Sequence, residues 1–256
     1  MNTACVRVRH LSKRFLVLKQ QRTTFRVLRA LVMRQALKRE LWALRDLSFD
    51  VSEGEKLALV GKNGSGKTTL LRVLTGIYER SAGDLRIVGE PKALFKFWIG
   101  QNADLSVVDN IYLFGAVHGM GRDFLTPRLE EILDDAGIQA TRFSPLRDLS
   151  LGQRQRLALA VFFQTPADFM IFDESLAYVD QGFARRCEAF FQSVADSPRT
   201  IIMTSHDHEF LRRHCRRALW LDEGAIRRDG PAAEVIDAYA SWTDDDAKKA
   251  RERESA

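Results

Sequence analysis

The chain has 256 residues, 45% of them hydrophobic, and is therefore long enough to bury one sizeable core. No run of apolar residues approaches the ~18 that a bilayer span requires, so no membrane-spanning segment is predicted. The net charge of +5 favours an anionic partner, either a membrane surface or a nucleic acid. Cys5, Cys187 and Cys215 are far apart and lack metal-ligand spacing, which indicates reduced thiols in a cytoplasmic protein.

The first distinctive segment is Leu16–Trp42, which carries seven Lys or Arg residues and a single acid, Glu40. We predict that it forms a basic insert over residues 16–42. Two interpretations are open, because such a segment either contacts an anionic surface or is a solvated surface helix. Apolar residues recur in it at helical spacing, at Phe25, Leu28, Val32 and Ala36.

Residues 61–69 read GKNGSGKTT and fit the pattern G-x-x-x-x-G-K-[ST] of a phosphate-binding loop. A buried strand, Lys56–Val60, precedes them and an amphipathic helix, Thr69–Leu74, follows, which disfavours a glycine-rich turn that matches by chance. In this context backbone N–H groups surround a triphosphate, with Lys67 at the outer phosphates and the Thr68 hydroxyl on Mg²⁺. ATP or GTP with Mg²⁺ is therefore the predicted ligand. The predicted binding residues are Gly61, Lys62, Asn63, Gly64, Ser65, Gly66, Lys67, Thr68 and Thr69.

The rest of the chain alternates between strand-like and helical stretches, which predicts an α/β domain with a largely parallel sheet. From about Val107 to Arg147 the pattern is helical only, and this indicates an inserted helical lobe. We predict one domain over residues 1–242, with a core lobe at about 1–95 and 155–242 and a helical lobe at about 96–154. Residues 243–256 are almost entirely charged or small, which predicts a disordered tail. The predicted buried strands are Leu57–Val60, Phe169–Phe172, Thr200–Thr204 and Ala218–Leu221.

Two carboxylates follow the apolar run Phe169–Phe172, at the strand end where an α/β nucleotide site needs them. Asp173 would hold Mg²⁺ opposite Thr68, and Glu174 would act as a general base toward the attacking water. Acidic turns are common after strands, but the phosphate loop makes the functional interpretation the stronger one. His206 follows another buried strand and would reach the same edge, where we expect it to contact the γ-phosphate and orient the water.

Residues Leu149–Gln153 read LSLGQ and precede a predicted helix at Arg154–Phe163. Their serine and glycine lie at a helix N-terminus, which binds an anion or merely caps the helix. In this order and spacing, the motifs resemble the ATP-binding subunits of ABC transporters from about Val6 to Trp242. The matching motifs are the phosphate loop, LSLGQ, Asp173-Glu174, Asp180 and His206.

The resemblance implies a P-loop ATPase core with a mainly parallel sheet, an N-terminal antiparallel β portion and an inserted helical subdomain. It also implies that two copies pair head to tail and hold ATP between them. Ser150 and Gly152 of one copy would then complete the γ-phosphate site of the other, and Asp180 would couple the two sites. At Leu151 the sequence departs from the usual glycine, which we expect to slow closure or turnover.

A finer resemblance is to exporters of bacterial capsule, O-antigen and teichoic acid. It implies a motor subunit on the cytoplasmic face of the cell membrane, partnered by a separate permease, with the basic insert against the permease or the membrane surface. The alternative is a soluble ABC ATPase acting on nucleic acid or the ribosome. Lys67 and Ser150 are too close in sequence for the long coiled coils of chromosome-type members, so no nucleic-acid partner is expected. The residues that carry the finer resemblance to polysaccharide exporters are Asp109–Leu113, Glu174–Asp180, Trp220–Gly224 and Gly230–Tyr239.

Two further roles in such ATPases have more than one interpretation here. An aromatic ring near the N-terminus stacks on adenine in this family; Phe15 occupies the expected position, while Phe25 and Trp42 remain alternatives. A glutamine between the lobes contacts Mg²⁺ in many members. Gln101 is the candidate, but it lies closer to Asn110 than is usual, so we do not assign it as a ligand.

Overall fold

The computed structural model describes residues 4–18, 38–95, 102–174 and 181–254. These residues form two sheets, with strand orders β2-β1-β4 and β5-β6-β7-β3-β8-β9. The strands are β1 (Ala4–Leu18), β2 (Lys38–Ser52), β3 (Lys56–Val60), β4 (Ala82–Ile87), β5 (Lys92–Phe95), β6 (Phe169–Asp173), β7 (Thr200–Thr204), β8 (Arg217–Asp222) and β9 (Ala225–Pro231). The helices are α1 (Lys67–Leu74), α2 (Val107–Val117), α3 (Arg122–Leu125), α4 (Leu129–Ala136), α5 (Leu151–Phe163), α6 (Gln181–Val194), α7 (His208–His214) and α8 (Ala232–Glu254).

The larger sheet is parallel except at one edge. Strands β5, β6, β7, β3 and β8 pair in parallel, and β9 pairs antiparallel with β8. Every residue of β3, β6 and β7 is buried, as expected of parallel strands covered on both faces. The predicted α/β class and its four buried strands are confirmed, with strand ends that differ from the predicted ones by at most one residue.

Strand β3 separates two hydrophobic cores. Ala58 and Val60 face the core that includes the helices of the lobe, whereas Leu57 and Leu59 face the core shared with α1 and the smaller sheet. This division follows from the alternation of side chains along a strand. The end of β3 is therefore fixed from both sides, and this is the point at which the phosphate loop begins.

The smaller sheet is antiparallel and contains a long two-stranded ribbon. Pairing of β1 with β4 ends at Ser12, but pairing of β1 with β2 continues to Leu18 and Lys38. The predicted basic insert thus begins and ends as strand, because the two chain segments satisfy each other's backbone hydrogen bonds. Its proposed helical stretch, with Phe25, Leu28, Val32 and Ala36, lies outside the described residues.

The helical lobe differs from its predicted outline at helix α5. This helix begins at Leu151 rather than at Arg154, and it runs without a break across the predicted lobe boundary at residue 154. The earlier start is explained by a capping box: the Ser150 side chain accepts a hydrogen bond from the Gln153 N–H, and the Gln153 side chain accepts one from the Ser150 N–H. Short 3₁₀ turns connect the lobe's helices, at Thr126–Arg128, Gln139–Thr141 and Leu146–Asp148.

The C-terminal segment, predicted as a tail, lies within the last helix. Helix α8 runs through Glu254, so the backbone of most of the predicted disordered tail is helical. The residue types after Trp242 include Ala, Lys, Arg and Glu, whose high helix propensity offsets their lack of apolar character. Among the described residues, no helix has the length and apolar character that a membrane span requires.

The residue at the C-terminal cap of α2 is a buried histidine. The His118 ring lies 4.4 Å from the Phe114 ring and 5.1 Å from the Phe162 ring, between centroids. Burial, assisted by the nearby Lys92 ammonium, lowers the pKa of His118 from 6.5 to about 4. The folded protein therefore keeps this imidazole neutral where the unfolded chain protonates it.

This difference predicts acid sensitivity with a defined sign. The folded pKa of His118 lies below the unfolded value, so stability is intact above pH 6.5 and falls as the pH drops toward about 4. We expect His118 alone to lower the free energy of unfolding by about 2 kcal/mol between about pH 7.5 and about pH 5. His118→Phe keeps an aromatic ring that cannot titrate, and should remove this contribution. Urea denaturation at both pH values is the measurement, and equal losses in the two proteins would contradict it.

Candidate functional site

The phosphate loop connects β3 to α1 through three glycines with positive φ. Gly61, Gly64 and Gly66 have φ values of 148°, 84° and 109°, where other residues are strained. The loop is closed by a hydrogen bond from the Ser65 N–H to the Lys62 carbonyl (3.1 Å). Such a turn directs successive backbone N–H groups toward one concave side, which suits an anion.

Close packing under the loop also requires glycine. A Cβ atom on Gly61 would lie 2.2 Å from the Leu221 carbonyl oxygen and 2.7 Å from the Ser65 hydroxyl. That hydroxyl is buried, and it has no hydrogen-bond partner within the described residues. A buried polar atom without a hydrogen-bond partner is uncommon in folded proteins, and here it lies directly under the loop.

Lys67 is buried at the start of α1 and is held by the loop itself. Its Nζ donates to the carbonyl oxygens of Gly61 (2.5 Å) and Lys62 (3.1 Å). Burial lowers the pKa of the Lys67 ammonium, while the carboxylates of Glu174 and Asp173 act in the opposite direction. An anionic ligand at the loop would offset the same burial cost, because it supplies a further negative charge.

Three oxygen-bearing side chains meet where β6 and β7 end. The Asp173 carboxylate is 3% exposed and accepts hydrogen bonds from the hydroxyls of Thr68 (2.8 Å) and Thr204 (2.9 Å). A carboxylate beside a hydroxyl is the kind of hard oxygen set that Mg²⁺ prefers. The pairing of Asp173 and Thr68 that the sequence predicts is therefore present, and both residues fit a magnesium ion.

Thr204 is a site residue that sequence reasoning did not identify. It is fully buried at the end of β7, directly beside Asp173 in the parallel register. Besides donating to Asp173, its hydroxyl accepts a hydrogen bond from the Glu174 N–H at 2.8 Å. The sequence signal was weak, because β7 both begins and ends with threonine, a residue common in strands.

Glu174 and His206 are neighbours at the same sheet edge. His206 Nε2 lies 3.3 Å from Glu174 Oε1, and the Glu174 side chain is 15% exposed against 62% for His206. Glu174 has a φ of 48°, an uncommon conformation for a non-glycine residue that is associated with functional sites. The carboxylate is thus shielded while the imidazole faces solvent.

The LSLGQ motif is located at the surface, at the N-terminus of α5. Ser150 caps the helix, and the side chain of Leu151 is 74% exposed. Gly152 lies in the first turn, and an added Cβ there would meet nothing within 4 Å. The hydrogen bonds of Ser150 are local to this helix, so within one chain the motif acts as a cap, and its face is accessible to a second molecule.

The candidate adenine-stacking ring contacts a residue that the sequence did not single out. Phe15 packs edge-on against Tyr78, with ring centroids 5.4 Å apart, and the Lys13 ammonium lies 4.9 Å from the Phe15 centroid. Trp42 is partly exposed on the same ribbon, with the Arg14 guanidinium 5.9 Å from its ring centroid. The remaining candidates, Phe25, Gln101 and Asp180, lie outside the described residues.

Comparison with known proteins identifies the class. The family described as ABC transporter matches residues 44–177. The O-antigen export system ATP-binding protein RfbB of Klebsiella pneumoniae is 31% identical over 80% of this chain and 84% of its own length. The chain therefore belongs to the ABC transporter family.

Other relatives extend beyond the matched region. RfbB of Myxococcus xanthus is 35% identical over 77% of this chain, and the teichoic acids export ATP-binding protein TagH of Listeria monocytogenes is 33% identical over 77%. The matches span only 45% and 59% of those two proteins.

Solved structures share the fold at low sequence identity. A structure titled as the ATP-binding subunit of an ABC transporter has a TM-score of 0.70 at 19% identity, covering 93% of this chain and 94% of that one. A dimeric ATP-binding cassette bound to ADP and Pi has a TM-score of 0.69 at 18% identity, covering 89% of this chain and 98% of that one. Both likenesses show the fold.

The packing under the loop predicts unequal costs for two glycine substitutions. Gly61→Ala adds a methyl group against the Leu221 carbonyl in addition to backbone strain, and should lower the free energy of unfolding by about 3 kcal/mol. Gly64→Ala meets no atom within 4 Å and should cost only the backbone strain, about 1–2 kcal/mol. Guanidinium denaturation of both variants measures the difference. Equal costs would show that the Gly61 contact does not constrain the loop.

Proposed function

We propose that this protein hydrolyses ATP as the motor subunit of an ABC exporter. The observation that carries the proposal is the meeting of the phosphate loop with Asp173 and Glu174 at one sheet edge. Thr68, the residue after the loop lysine, is hydrogen-bonded to Asp173 at 2.8 Å. A loop for phosphates, a magnesium-compatible oxygen pair and a shielded carboxylate together form the set that ATP hydrolysis requires.

In this proposal the loop residues 61–69 bind the triphosphate through their backbone N–H groups, and Lys67 exchanges its carbonyl contacts for phosphate oxygens. Thr68 and Asp173 would hold Mg²⁺, which supplies charge neutralisation at the phosphate oxygens. Thr204 keeps the Asp173 carboxylate oriented through its hydroxyl. The chain's contribution is thus to position the phosphates and to stabilise negative charge that develops on them.

Glu174 is proposed as the general base. Its carboxylate is shielded from solvent and lies 3.3 Å from the His206 imidazole, so a water bound beside both groups can transfer a proton to Glu174 as it attacks. The hydrogen bond from the Glu174 N–H to the Thr204 hydroxyl restrains the backbone of Glu174 and so the position of its carboxylate. His206, which is more exposed, would orient that water and contact the γ-phosphate.

We further propose that the working unit is a head-to-tail dimer of two copies. The support is the exposed N-terminus of α5, where Ser150, Leu151 and Gly152 are available to a second molecule. A structural neighbour in the ABC fold is titled as a dimer with ADP and Pi. Ser150 and Gly152 would complete the partner's γ-phosphate site. Movement of the helical lobe, residues 96–154, would transmit closure of the dimer to the membrane permease.

The proposed cargo is a cell-surface polysaccharide or lipid-linked glycan, exported through a separate membrane permease. Relatives at 31–35% identity carry the names O-antigen export and teichoic acids export ATP-binding protein. These names favour transport over action on nucleic acid or the ribosome.

The ribbon of β1 and β2 is proposed to contact the anionic inner surface of the cell membrane. Leu16, Val17 and Leu41 are 60%, 46% and 51% exposed, and Trp42 is 39% exposed. Basic residues, including Arg39, are interspersed with them on the paired strands. Exposed apolar side chains next to cations suit a lipid interface, which accepts the apolar groups and attracts the positive charge.

The proposed general base is tested by Glu174→Gln with Lys67→Ala as the contrast. Glu174→Gln should bind ATP with Mg²⁺ and lower phosphate release at least about 100-fold. It should also accumulate as a dimer, because the dimer is proposed to open only after hydrolysis. Lys67→Ala should lose ATP affinity in calorimetry and remain monomeric. Phosphate release and gel filtration are the measurements. Wild-type phosphate release by Glu174→Gln would remove Glu174 from the role.

The membrane contact predicts a specific loss in vesicle binding. Val17→Ser combined with Leu41→Ser should weaken co-sedimentation with phosphatidylcholine vesicles containing phosphatidylglycerol about tenfold, because two exposed apolar side chains on the same face of the ribbon are removed. Val88→Ser changes a residue that is 56% exposed outside the ribbon and is the matched control. Equal binding by all three proteins would exclude the ribbon as a membrane contact.

A further inference from the structure

An aromatic cluster joins the C-terminal helix α8 to the edge of the large sheet. The Trp242 ring on α8 lies 5.3 Å from the Trp220 ring on β8 and 6.5 Å from the Tyr239 ring, between centroids. The Arg227 guanidinium on β9 lies 4.4 Å from the Trp220 centroid and 4.7 Å from the Trp242 centroid. Trp242 is therefore held in place by two aromatic rings and a cation.

The same indole ring contacts the phosphate loop. The Nζ atom of Lys62, the second residue of the loop, lies 4.3 Å from the Trp242 ring centroid. This distance is well within the range of a cation–π interaction, which strengthens where the ring and cation are partly desolvated. Both residues are half-buried. The side chain of a loop residue is thus attached to a helix far along the chain.

Lys62 is also the residue around which the loop turns. Its carbonyl oxygen accepts hydrogen bonds from Lys67 Nζ (3.1 Å) and from the Ser65 N–H (3.1 Å). An anchor on the Lys62 side chain therefore restrains the backbone that positions the loop lysine. We propose that Trp242 is a positioning residue for ATP binding, which acts through Lys62 to pre-organise the phosphate loop.

This role makes the C-terminal helix a regulator of nucleotide affinity. Helix α8 continues past Trp242 to Glu254, so an interaction that shifts this helix changes the restraint on Lys62. The coupling is reciprocal: if docked α8 favours ATP binding, bound ATP favours docked α8 by the same factor. The inference rests on ATP binding at the loop, as proposed above, and is independent of the cargo.

Substitutions of Trp242 test whether ATP binding depends on its aromatic face or only on its apolar bulk. Trp242→Ala should raise the Kd for ATP with Mg²⁺ about fivefold, as expected for the loss of a partly desolvated cation–π contact. Trp242→Phe keeps an aromatic face and should restore most of the affinity, whereas Trp242→Leu keeps apolar bulk alone and should not. Isothermal titration of the full chain measures each Kd. Ser241→Ala, on the neighbouring exposed position of α8, is the matched control and should bind as wild type.

A double variant tests whether the effect passes through Lys62. Lys62→Met should weaken ATP binding, and Trp242→Ala added to it should cause no further loss, because the contact is already absent. Hydrogen exchange of the α8 amides should slow when ATP is added to wild type, and not in Trp242→Ala. Equal affinity of Trp242→Leu and wild type, or independent losses in the double variant, would overturn the proposal. Failure of the wild-type protein to bind ATP would instead overturn the proposed function.

Discussion

The buried Asp173 carboxylate is the constraint on which the rest of the site depends. Removing a carboxylate from water costs several kcal/mol unless hydrogen bonds and nearby cations compensate for the lost hydration. Here Thr68 from α1 and Thr204 from β7 each donate a hydroxyl to it. The Lys67 ammonium, held by the loop carbonyls, adds a positive charge. One carboxylate therefore fixes the relative positions of the phosphate loop, β6 and β7.

This constraint also explains the placement of Glu174. The residue follows Asp173 directly, and its N–H is bonded to the same Thr204 that holds Asp173. Its φ is positive, and the Glu174 N–H, shared between the Thr204 hydroxyl (2.8 Å) and the Thr204 carbonyl (3.2 Å), stabilises a conformation that is unfavourable by itself. Substitution of Thr204 would consequently disturb the proposed metal-binding oxygen of Asp173 and the proposed general base, Glu174, together.

The sequence predicted those parts of the molecule in which local pattern and tertiary environment agree. Apolar runs identified β3, β6, β7 and β8, and the glycine spacing identified the phosphate loop. The pattern was insufficient where a residue's role depends on its neighbour in space. Thr204 has high strand propensity and reads as an ordinary strand residue until β6 is placed beside it. Tyr78 likewise becomes relevant only when the loop after α1 meets Phe15. At the other end of the chain, several of the charged and small residues that predict a disordered tail also have high helix propensity, and α8 runs through Glu254.

The candidate site residues fall into two groups within one chain. Phosphate-binding donors, the oxygen pair and the carboxylate all belong to the edge formed by β3, β6 and β7, whereas Ser150 and Gly152 lie on the exposed end of a helix that caps itself. In the proposed dimer, Ser150 and Gly152 of the second copy would enclose the outermost phosphate and exclude water. Dimerisation and catalysis would then be linked, because the proposed base would act efficiently only once the second copy closes the site. The proposed role of the contact between Lys62 and Trp242 is at the earlier step of ATP binding. The C-terminal helix would then control how readily ATP binds, without altering the chemistry at Glu174.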